Sequence, residues 1–406
     1  MIKAPRGMKD ILPPSSESYL HILDVAAKAA ERYGYGYIET PIVEESALFL
    51  RSVGESSDIV GKEMYRFTDK GGNDISLRPE GTAGVVRAFI EHKLDRQGGV
   101  HRFYYYGPMF RYERPQKGRL REFHQFGVES FGEGSAYEDA AVILLARDIL
   151  DALGIDAKLK INSLGCPNCI GPYRQKLVEF LQKHDDICDD CRRRRDTNPI
   201  RALDCKNPAC QKIYTDAPKI TDHLCEECAA EFETLKGLLD DAGAAYEVDK
   251  NLVRGLDYYT RTAFEFTSDA LGAQSAVAGG GRYDGLVEQL GGRPTPAVGF
   301  GMGIERLMEL MEAPKKERGG YYIGALESEA LPKSFALAQS IRRRQKAHFT
   351  PQAKSLKAHL KAADKAGARY ALIIGADELA KGEVWRKDLT EGSEDRIPYN
   401  EALELG

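Results

Sequence analysis

The stretch from Gly107 to Phe131 constrains the fold of this chain more than any other segment. Its sequence, GPMFRYERPQKGRLREFHQFGVESF, alternates aromatic and charged residues and is interrupted by a basic run at 115–119. This pattern predicts two antiparallel strands joined by a long basic loop. Residues two apart lie on one face of a strand, so Arg111 and Glu113 are expected to share a face. The equivalent positions of the second strand are Phe123, Gln125, Gly127 and Glu129.

The residue types on this face predict a ligand. A guanidinium group is permanently charged and suits phosphate, and an aromatic ring offers a nucleobase a surface for stacking. A purely structural strand pair would bury more aliphatic residues and fewer charged ones. The hairpin therefore indicates a site that holds a nucleotide beside a cationic small molecule.

Four motifs carry a resemblance to a known family. They are FRYE with REF at 110–123, RGLDYYT at 254–260, AVAGGGRYD at 276–284 and GFGMGIER at 299–306. The first and the last resemble signatures of class II aminoacyl-tRNA synthetases, and the middle two are similar to those of the histidyl-tRNA synthetase family. The resemblance begins at Arg6 and covers nearly the whole chain.

The resemblance implies an α+β fold. Its parts are a class II synthetase antiparallel sheet flanked by helices, a helical cysteine-rich insertion and a C-terminal α/β anticodon-binding domain. The charged, Gly- and Pro-rich run at 312–320 is typical of a linker, and strands alternate with helices beyond it. We predict a catalytic domain formed by residues 1–164 and 241–313, an insertion subdomain at 165–240 and an anticodon-binding domain at 320–406.

The activity that the resemblance implies is histidine–tRNA ligation. ATP activates L-histidine to histidyl-adenylate, and the histidyl group passes to the 3′ end of tRNA(His). One alternative is a catalytically silent regulatory subunit of ATP phosphoribosyltransferase, and another is an RNA-binding or sensor protein without turnover. Regulatory subunits of that kind usually lack the C-terminal domain and have eroded motifs, whereas Arg111, Arg254 and Arg306 are all present here.

The resemblance also assigns residues to ligands. The two catalytic residues are expected to be Arg111 and Arg254, on opposite sides of the α-phosphate. The residues expected to bind histidine are Glu80, Gly81, Thr82, Arg111, Gln125, Glu129, Arg254, Tyr258 and Tyr259. Those expected to bind ATP, with Mg²⁺ on its polyphosphate, are Arg111, Glu113, Arg119, Phe123 and Arg306. Those expected to contact tRNA from the basic loop are Arg114, Gln116 and Lys117.

Eight cysteines are concentrated in one segment of the chain. They form the close pairs Cys166/Cys169, Cys188/Cys191, Cys205/Cys210 and Cys225/Cys228. Disulfides are disfavoured in a reducing compartment, and close spacing lets both sulfurs of a pair reach one tetrahedral ion. The pattern predicts one or two structural Zn²⁺ sites with four thiolates each. The alternative is a set of reduced thiols that pack in a small core.

Composition restricts the contacts with RNA. The chain has 406 residues and a formal net charge of -5, so it is long enough for two or three domains and does not coat nucleic acid non-specifically. RNA binding would need local basic patches. The candidates are the run 192–195 and the helically spaced lysines Lys354, Lys357, Lys361 and Lys365. A solvated helix face is the alternative for both.

The N-terminal region bears on compartment and assembly. It has no apolar signal region, and no run in the chain approaches membrane-spanning length, so we expect a cytoplasmic protein with no membrane association. A predicted strand over Tyr35–Ile42 contains Thr40 and Pro41, which resemble the first class II motif. That resemblance implies a homodimer; the alternative is a strand that stops at an edge proline.

Overall fold

The chain forms two compact units, Met1–Ala313 and Pro314–Gly406. The structure, a computed structural model, describes residues 2–54, 59–116, 118–205, 207–314 and 317–405. None of the helices in these ranges is long and apolar enough to cross a lipid bilayer.

The helices of the first unit are α1 Ser15–Arg32, α2 Ser46–Val53, α3 Thr82–Glu91, α4 Ala136–Ala152, α5 Pro167–Leu181, α6 Asp189–Thr197, α7 Pro208–Tyr214, α8 Glu226–Asp241, α9 Leu286–Gln289 and α10 Ile304–Leu310. Those of the second unit are α11 Leu331–Arg342, α12 Leu356–Lys365, α13 Ala376–Lys381 and α14 Tyr399–Ala402. A π-helical turn and several 3₁₀ turns connect them.

The strands of the first unit are β1 Gly36–Tyr37, β2 Val43–Glu45, β3 Arg66–Thr68, β4 Asp74–Leu77, β5 His101–Phe110, β6 Glu122–Phe131, β7 Lys158–Ser163, β8 Tyr246–Val248, β9 Thr260–Thr267, β10 Ala276–Arg282 and β11 Ala297–Gly303. Those of the second unit are β12 Tyr321–Ala325, β13 Ala347–Phe349, β14 Tyr370–Ile374, β15 Glu383–Asp388 and β16 Glu394–Pro398.

An eight-stranded sheet organises the first unit. Its order is β1-β5-β6-β11-β10-β9-β7-β8, and all pairs from β5 to β7 are antiparallel. Apolar residues of α1, α4, α8 and α10 pack with the strands in one core, which contains Phe126 and Val128 of β6. Because strand residues alternate between faces, Gln125, Gly127 and Glu129 are turned toward the opposite side of the sheet.

The cysteine-rich segment lies between β7 and β8 of this sheet and has a core of its own. Buried members of that core include Tyr173, Leu177, Leu181 and Ile187, together with six of the cysteines. Few large aliphatic side chains contribute to it, so the segment has little apolar surface with which to stabilise itself.

The second unit contains a mixed five-stranded sheet. Its order is β13-β12-β14-β15-β16; the first three strands are parallel to one another, and the last two pair antiparallel. Apolar residues of α11 and the strands, among them Leu337, Ile323 and Leu372, form its main core. The predicted α+β class and the α/β character of the C-terminal region are therefore confirmed.

Several predicted elements differ in detail. The apolar spacing over Ser16–Tyr33 predicts a helix with Leu20, Leu23, Ala27 and Ala30 on one face. In α1, however, Leu20 is 62% exposed, and the buried face runs through Ile22, Ala26 and Ala29. The strand predicted over Tyr35–Ile42 is limited to β1. The short strands β13 and β16 were not predicted.

The first arm of the predicted hairpin is also shorter than expected, because β5 ends at Phe110. The backbone N–H of Arg111 still donates to the Arg121 carbonyl of the second arm. Other backbone groups of the loop form hydrogen bonds with different segments of the chain. The amide of Tyr112 donates to Glu63 O at 2.6 Å, and that of Arg121 donates to Gly7 O at 2.8 Å. The prediction that Arg111 and Glu113 share a strand face is therefore wrong.

Candidate active site

A cavity of about 830 Å³ opens on the face of the sheet opposite the main core. Every residue predicted to bind histidine or ATP, except Glu129, contributes to its lining: Glu80, Gly81, Thr82, Arg111, Glu113, Arg119, Phe123, Gln125, Arg254, Tyr258, Tyr259 and Arg306. These residues come from the start of α3, the loop between β5 and β6, β6 itself, the segment before β9, and α10. The fold thus gathers positions that are spread over more than half of the first unit's length. We call this cavity the cleft.

Glu129 lies beneath the floor of the cleft and is 1% exposed. Its Oε1 accepts hydrogen bonds from the Thr82 hydroxyl at 2.7 Å and the Tyr105 hydroxyl at 3.0 Å, and its Oε2 accepts one from Tyr283. Burial raises the pKa of Glu129 to about 8, although these hydroxyl donors act in the opposite direction. A carboxyl group held in this way suits a ligand with a polar N–H group and can discriminate strongly against ligands without one.

Gly299 makes room for that carboxylate. It lies directly opposite Glu129 in the β6–β11 ladder, and a Cβ at this position would fall 2.0 Å from Glu129 Oε2. A side chain here would displace the carboxylate, which explains on steric grounds why this position of the GFGMGIER segment is a glycine.

Glu80 holds the start of helix α3. Its carboxylate accepts hydrogen bonds from the backbone amides of Thr82 at 2.7 Å and Ala83 at 2.9 Å. These amides belong to the first turn of the helix, where N–H groups lack partners within the helix and a negative charge is favourable. Burial raises the pKa of Glu80. The residue thus positions Thr82, a role that the resemblance did not suggest.

Arg254 reaches the cleft from the RGLDYYT segment. Its Nη1 donates to Glu265 at 2.7 Å, and its guanidinium lies 5.8 Å from the centroid of the Tyr259 ring. Among the described residues its buried Nε has no hydrogen-bond acceptor. Such a donor points to a ligand, because buried polar groups are normally paired. A Cβ at residue 279 would fall 2.3 Å from Nη2, so Gly279 allows this close approach.

Tyr258 and Tyr259 form an aromatic wall beside it. Their ring centroids are 4.7 Å apart, and Tyr283 lies edge-on to Tyr258 at 5.6 Å. The two tyrosines therefore pack with a hydrophobic core and also line the cleft.

Three further arginines contribute positive charge to the lining of the cleft. Arg111 donates from Nε to Pro79 O at 2.9 Å and lies over the ring of Phe123, with 5.2 Å to the ring centroid. Arg119 is paired with Glu113 and with Glu63. Burial, followed by the charges of Arg111 and Arg119, lowers the pKa of Arg306. Mutual repulsion among these cations favours an anionic ligand between them.

Sequence reasoning missed several residues of the site. Tyr105 and Tyr283 bind Glu129, and Glu305 accepts hydrogen bonds from the amide of His124 at 3.0 Å. Tyr283 lies within the AVAGGGRYD segment and Glu305 within the GFGMGIER segment. The family resemblance therefore included both residues but did not indicate what they do. No sequence pattern pointed to Tyr105.

The basic loop is placed differently from the cleft residues. Arg114 and Gln116 are exposed and do not contribute to the lining. The amide of Gln116 and that of Arg119 each donate to the other residue's carbonyl at 3.0 Å, which closes the turn. Lys117 lies outside the described residues.

The eight cysteines form two groups rather than four separate pairs. One group is Cys166, Cys169, Cys225 and Cys228, and the other is Cys188, Cys191, Cys205 and Cys210. Within each group the sulfur atoms all lie within 4.8 Å of one another. Either group can supply four thiolate ligands to a metal ion.

Of the two candidate basic patches, the run 192–195 is only partly exposed, since Arg194 and Arg195 are half-buried. In the run 192–195, Arg192 and Arg193 of α6 are paired with Asp189 and Asp190, as expected for a solvated helix face. Arg194 differs, since it lines the cleft. In the second unit the four lysines Lys354, Lys357, Lys361 and Lys365 are all exposed, on or just before α12.

Comparison with known proteins identifies relatives over the full length. The family described as "Histidyl-tRNA synthetase" matches residues 7–307, and the one described as "Anticodon binding domain" matches residues 320–405. A histidine–tRNA ligase from a Nitratiruptor species is 66% identical over 403 residues, which are 99% of each chain. One from Sulfurimonas denitrificans is 60% identical over 398 residues, which are 98% of this chain and 99% of the relative. The crystal structure of apo histidyl-tRNA synthetase from S. aureus has a TM-score of 0.83 at 37% identity and matches 100% of this chain and 99% of its own.

Proposed function

This chain belongs to the histidyl-tRNA synthetase family, and on that premise we propose that the cleft activates L-histidine with ATP and passes the histidyl group to tRNA. The ligase activity, rather than the regulatory alternative, is supported by full-length relatives named histidine–tRNA ligase. The observation that carries the proposal is that the buried Glu129 carboxyl group lies beneath the floor of a cleft lined by Arg111, Arg119 and Arg306.

The first step needs positioning and neutralisation of charge. A carboxylate oxygen of histidine attacks the α-phosphorus of ATP, the bond to the bridging oxygen breaks, and diphosphate leaves. Negative charge that develops on the phosphoryl oxygens is stabilised by preorganised cations. We assign this role to Arg111 and Arg254. ATP enters as its Mg²⁺ complex, and Arg119 and Arg306 hold its β- and γ-phosphates while Phe123 stacks on adenine and Glu113 helps to fix the nucleotide.

Histidine selection is assigned to a second set of residues. We assign Glu80, Gly81 and Thr82 to the α-amino group, and Gln125, Glu129, Tyr258 and Tyr259 to the imidazole. Support comes from the hydroxyl donors that hold the buried Glu129 carboxyl group beside Thr82 and Tyr105, two residues that line the cleft. A ligand without a ring N–H would lack the further donor that this group can accept, and an unmade polar contact of this kind is energetically costly.

The second step transfers the histidyl group. A ribose hydroxyl at the tRNA 3′ end attacks the carbonyl carbon of the adenylate, the mixed anhydride bond breaks, and AMP leaves. The exposed Arg114 and Gln116 of the basic loop, with Lys117, are the proposed contacts to the acceptor end. Residues 320–406 are the proposed anticodon-binding domain, residues 1–164 and 241–313 the catalytic domain, and residues 165–240 the insertion.

We propose a homodimer whose interface includes the region around Thr40 and Pro41. A depression of about 920 Å³ lies there, lined by residues from Ile38 to Arg51 and by α3. Beside it Tyr37, Ile42 and Val43 are each more than 40% exposed. A cluster of exposed apolar residues of this kind fits a second copy of the chain.

We further propose a cytoplasmic location, since tRNA charging takes place there and the cysteines have the arrangement of reduced thiolate ligands. The metal proposed for the cysteine groups is structural Zn²⁺. Four thiolate ligands complete a tetrahedral shell and leave no open position for a substrate.

The experiment that tests the activity is ATP–diphosphate exchange with each of the twenty amino acids in the absence of tRNA. Exchange with histidine alone is the expected result. Exchange with no amino acid, by folded protein that still binds ATP or tRNA, would favour the regulatory or sensor alternative. Charging of tRNA(His) with labelled histidine then tests the second step.

A further inference from the structure

The two groups of cysteines occupy different places in the insertion. Cys166 and Cys169 lie where the chain enters the insertion after β7, and Cys225 and Cys228 lie where helix α8 leads back to the sheet. We call these four residues the hinge cluster. The other group, Cys188, Cys191, Cys205 and Cys210, is the cleft cluster, because Cys188 and Cys205 line the cleft.

The sulfur positions fit single tetrahedral ions. With metal–sulfur bonds of about 2.3 Å, neighbouring sulfurs of a tetrahedral site are about 3.8 Å apart. The Sγ–Sγ distances are 3.7 Å for Cys166–Cys169, 3.9 Å for Cys166–Cys225 and 3.7 Å for Cys188–Cys205. All four sulfurs of each cluster lie within 4.8 Å of one another, which suits one ion.

Backbone amides are arranged as donors to these sulfurs. The amide of Cys188 donates to Cys210 Sγ at 3.2 Å, and that of Cys225 donates to Cys169 Sγ at 3.1 Å. The amide of Asn207 donates to Cys205 Sγ at 3.4 Å. Such bonds favour negatively charged thiolates, the form that binds a metal.

The hinge cluster is tied to the frame of the insertion. Just before it, the amide of Leu164 donates to Arg261 O at 2.6 Å, and the amide of Arg261 donates to Gly165 O at 2.9 Å. The Arg261 side chain pairs with Glu227 and Glu231 of α8. An ion here would join the entry and the exit of the insertion, at a point already stabilised by other contacts.

The cleft cluster has less support from its surroundings. Helix α6 is highly polar, and its buried residue is Cys191. A helix without an apolar face is held little by packing, so its anchoring depends on its cysteines and on hydrogen bonds such as that from Arg174 Nη2 to Thr197 O at 2.8 Å. Just beyond α6, Asn198 Nδ2 donates to Asp257 Oδ1 at 2.9 Å, which connects this segment to RGLDYYT, the segment that carries Arg254, Tyr258 and Tyr259.

From these contacts we infer that each cluster binds one Zn²⁺ ion and that the ion of the cleft cluster holds α6 and the cleft-lining residues Arg201 and Asn207 as a wall of the active site. Histidine activation then depends on metal occupancy of the cleft cluster, whereas the hinge cluster serves stability. The inference rests on the proposed function, because the reaction that the ion of the cleft cluster affects is histidine activation. The metal sites themselves do not depend on it.

Two double variants separate the clusters without touching residues that line the cleft. Cys191→Ser/Cys210→Ser disrupts the cleft cluster, and Cys169→Ser/Cys228→Ser is the matched control in the hinge cluster; all four residues are buried. We expect two zinc ions in the wild-type chain, one per cluster, and one in each variant by elemental analysis. Iron, or no metal in protein purified without chelators, would overturn the inference.

Kinetics then distinguish positioning from stability. In histidine-dependent exchange, loss of the cleft ion should raise the KM for histidine or lower kcat by roughly tenfold to a hundredfold, because small displacements of binding groups have effects of this size. The hinge variant should keep both constants within about twofold while its Tm falls. A cleft variant that has lost its zinc and retains wild-type kinetics would refute the inference. A wild-type protein that holds two zinc ions but shows no exchange would refute the proposed function instead.

A spectroscopic test covers the case in which the cleft variant does not fold. Co²⁺ loaded into the hinge variant should occupy the cleft cluster and show the visible absorption of a tetrahedral thiolate site. Addition of histidine with a non-hydrolysable ATP analogue should shift this absorption. A spectrum that does not respond would contradict the link between the ion and the cleft.

Discussion

The hydroxyl of Thr82 donates a 2.7 Å hydrogen bond to Glu129 Oε1 and thereby joins the first residue of α3 to the C-terminal part of β6. Tyr105 and Tyr283 complete the set of donors to the same carboxyl group. The orientation of Glu129 in the cleft therefore depends on three hydroxyls from three separate parts of the sequence.

Thr82→Val tests this orientation. The substitution keeps the shape of the side chain but removes a donor to a buried carboxyl group, a loss of about 1.5 kcal/mol or more. We expect the KM for histidine to rise by roughly tenfold in the exchange assay, with the KM for ATP changed much less. Equal changes in both constants would indicate general damage to the cleft. Ser at position 82 retains the hydroxyl and should restore most of the affinity.

The pKa of Glu129 makes stability depend on pH. Burial raises this pKa from 4.5 to about 8, so the folded chain holds the proton more tightly than the unfolded chain. The resulting stabilisation is fully present below the unfolded pKa and is lost as the pH rises to about 8. Relative to the wild type, Glu129→Gln should therefore gain in Tm between these limits. A constant difference in Tm across that range would show that Glu129 has an ordinary pKa.

Tyr283→Phe provides a control for the direction of that effect. It removes a hydroxyl that favours the ionised carboxyl group and should raise the pKa of Glu129 further. The pH at which the stabilisation disappears should then move upward in calorimetric scans.

Arg254→Ala should slow histidine-dependent adenylate formation while ATP binding remains largely intact. Removal of one preorganised cation from a phosphoryl-transfer site typically lowers the rate by about a hundredfold to a thousandfold. Single-turnover formation of adenylate measures the step, and equilibrium binding of ATP serves as the control. Exchange at the wild-type rate would remove Arg254 from the mechanism.

Gly279→Ala should imitate the loss of Arg254. The new Cβ would fall 2.3 Å from Arg254 Nη2 and 2.7 Å from its Cζ, so the guanidinium has to move. Gly285→Ala is the matched control, because a Cβ there meets no atom within 4 Å. We expect exchange to fall strongly for the first variant and to stay near the wild-type rate for the second. Similar losses in both would point to a backbone effect rather than to the contact with Arg254.

Val43→Glu tests the proposed homodimer. Val43 is 42% exposed beside the depression that contains Thr40 and Pro41, and a buried unpaired charge would weaken an interface there. Sedimentation should show a dimer for the wild type and a shift toward monomer for the variant. Tyr137→Glu, at a ring that is 66% exposed on α4 outside this depression, should leave the mass unchanged. A wild-type monomer at all concentrations would refute the dimer.

Local patterns were sufficient to predict many elements. The spacing of apolar residues predicts helices over Ser16–Tyr33 and Ala136–Leu153, which agree with α1 and α4 within one residue at each end. The buried-looking apolar run at Tyr370–Ile374 predicts a strand, and it is β14. Short edge elements such as β1 and β13 were predicted poorly or missed, because two or three residues contain too little of any period.

The residues of the active site divide in the same way, into those that the sequence identified and those whose roles only the structure revealed. Sequence motifs identified Arg111, Arg254 and Arg306, whose residue types carry the chemistry whatever surrounds them. The packing role of Gly299 under Glu129 and the capping of α3 by Glu80 required the structure. In both cases the effect comes from atoms that are far apart in the sequence or from backbone groups that any residue provides.

By itself the sequence determined the class of the fold, the family and the set of residues able to handle a phosphate and a histidine, since these follow from periodicity, motif order and side-chain chemistry. Only the tertiary structure decided which cysteines share a cluster and that one cluster borders the cleft. Cysteine spacing limits which sulfurs lie close along the chain, but Cys166 meets Cys225 only because the insertion folds back on itself. A linear pattern contains no information about that return.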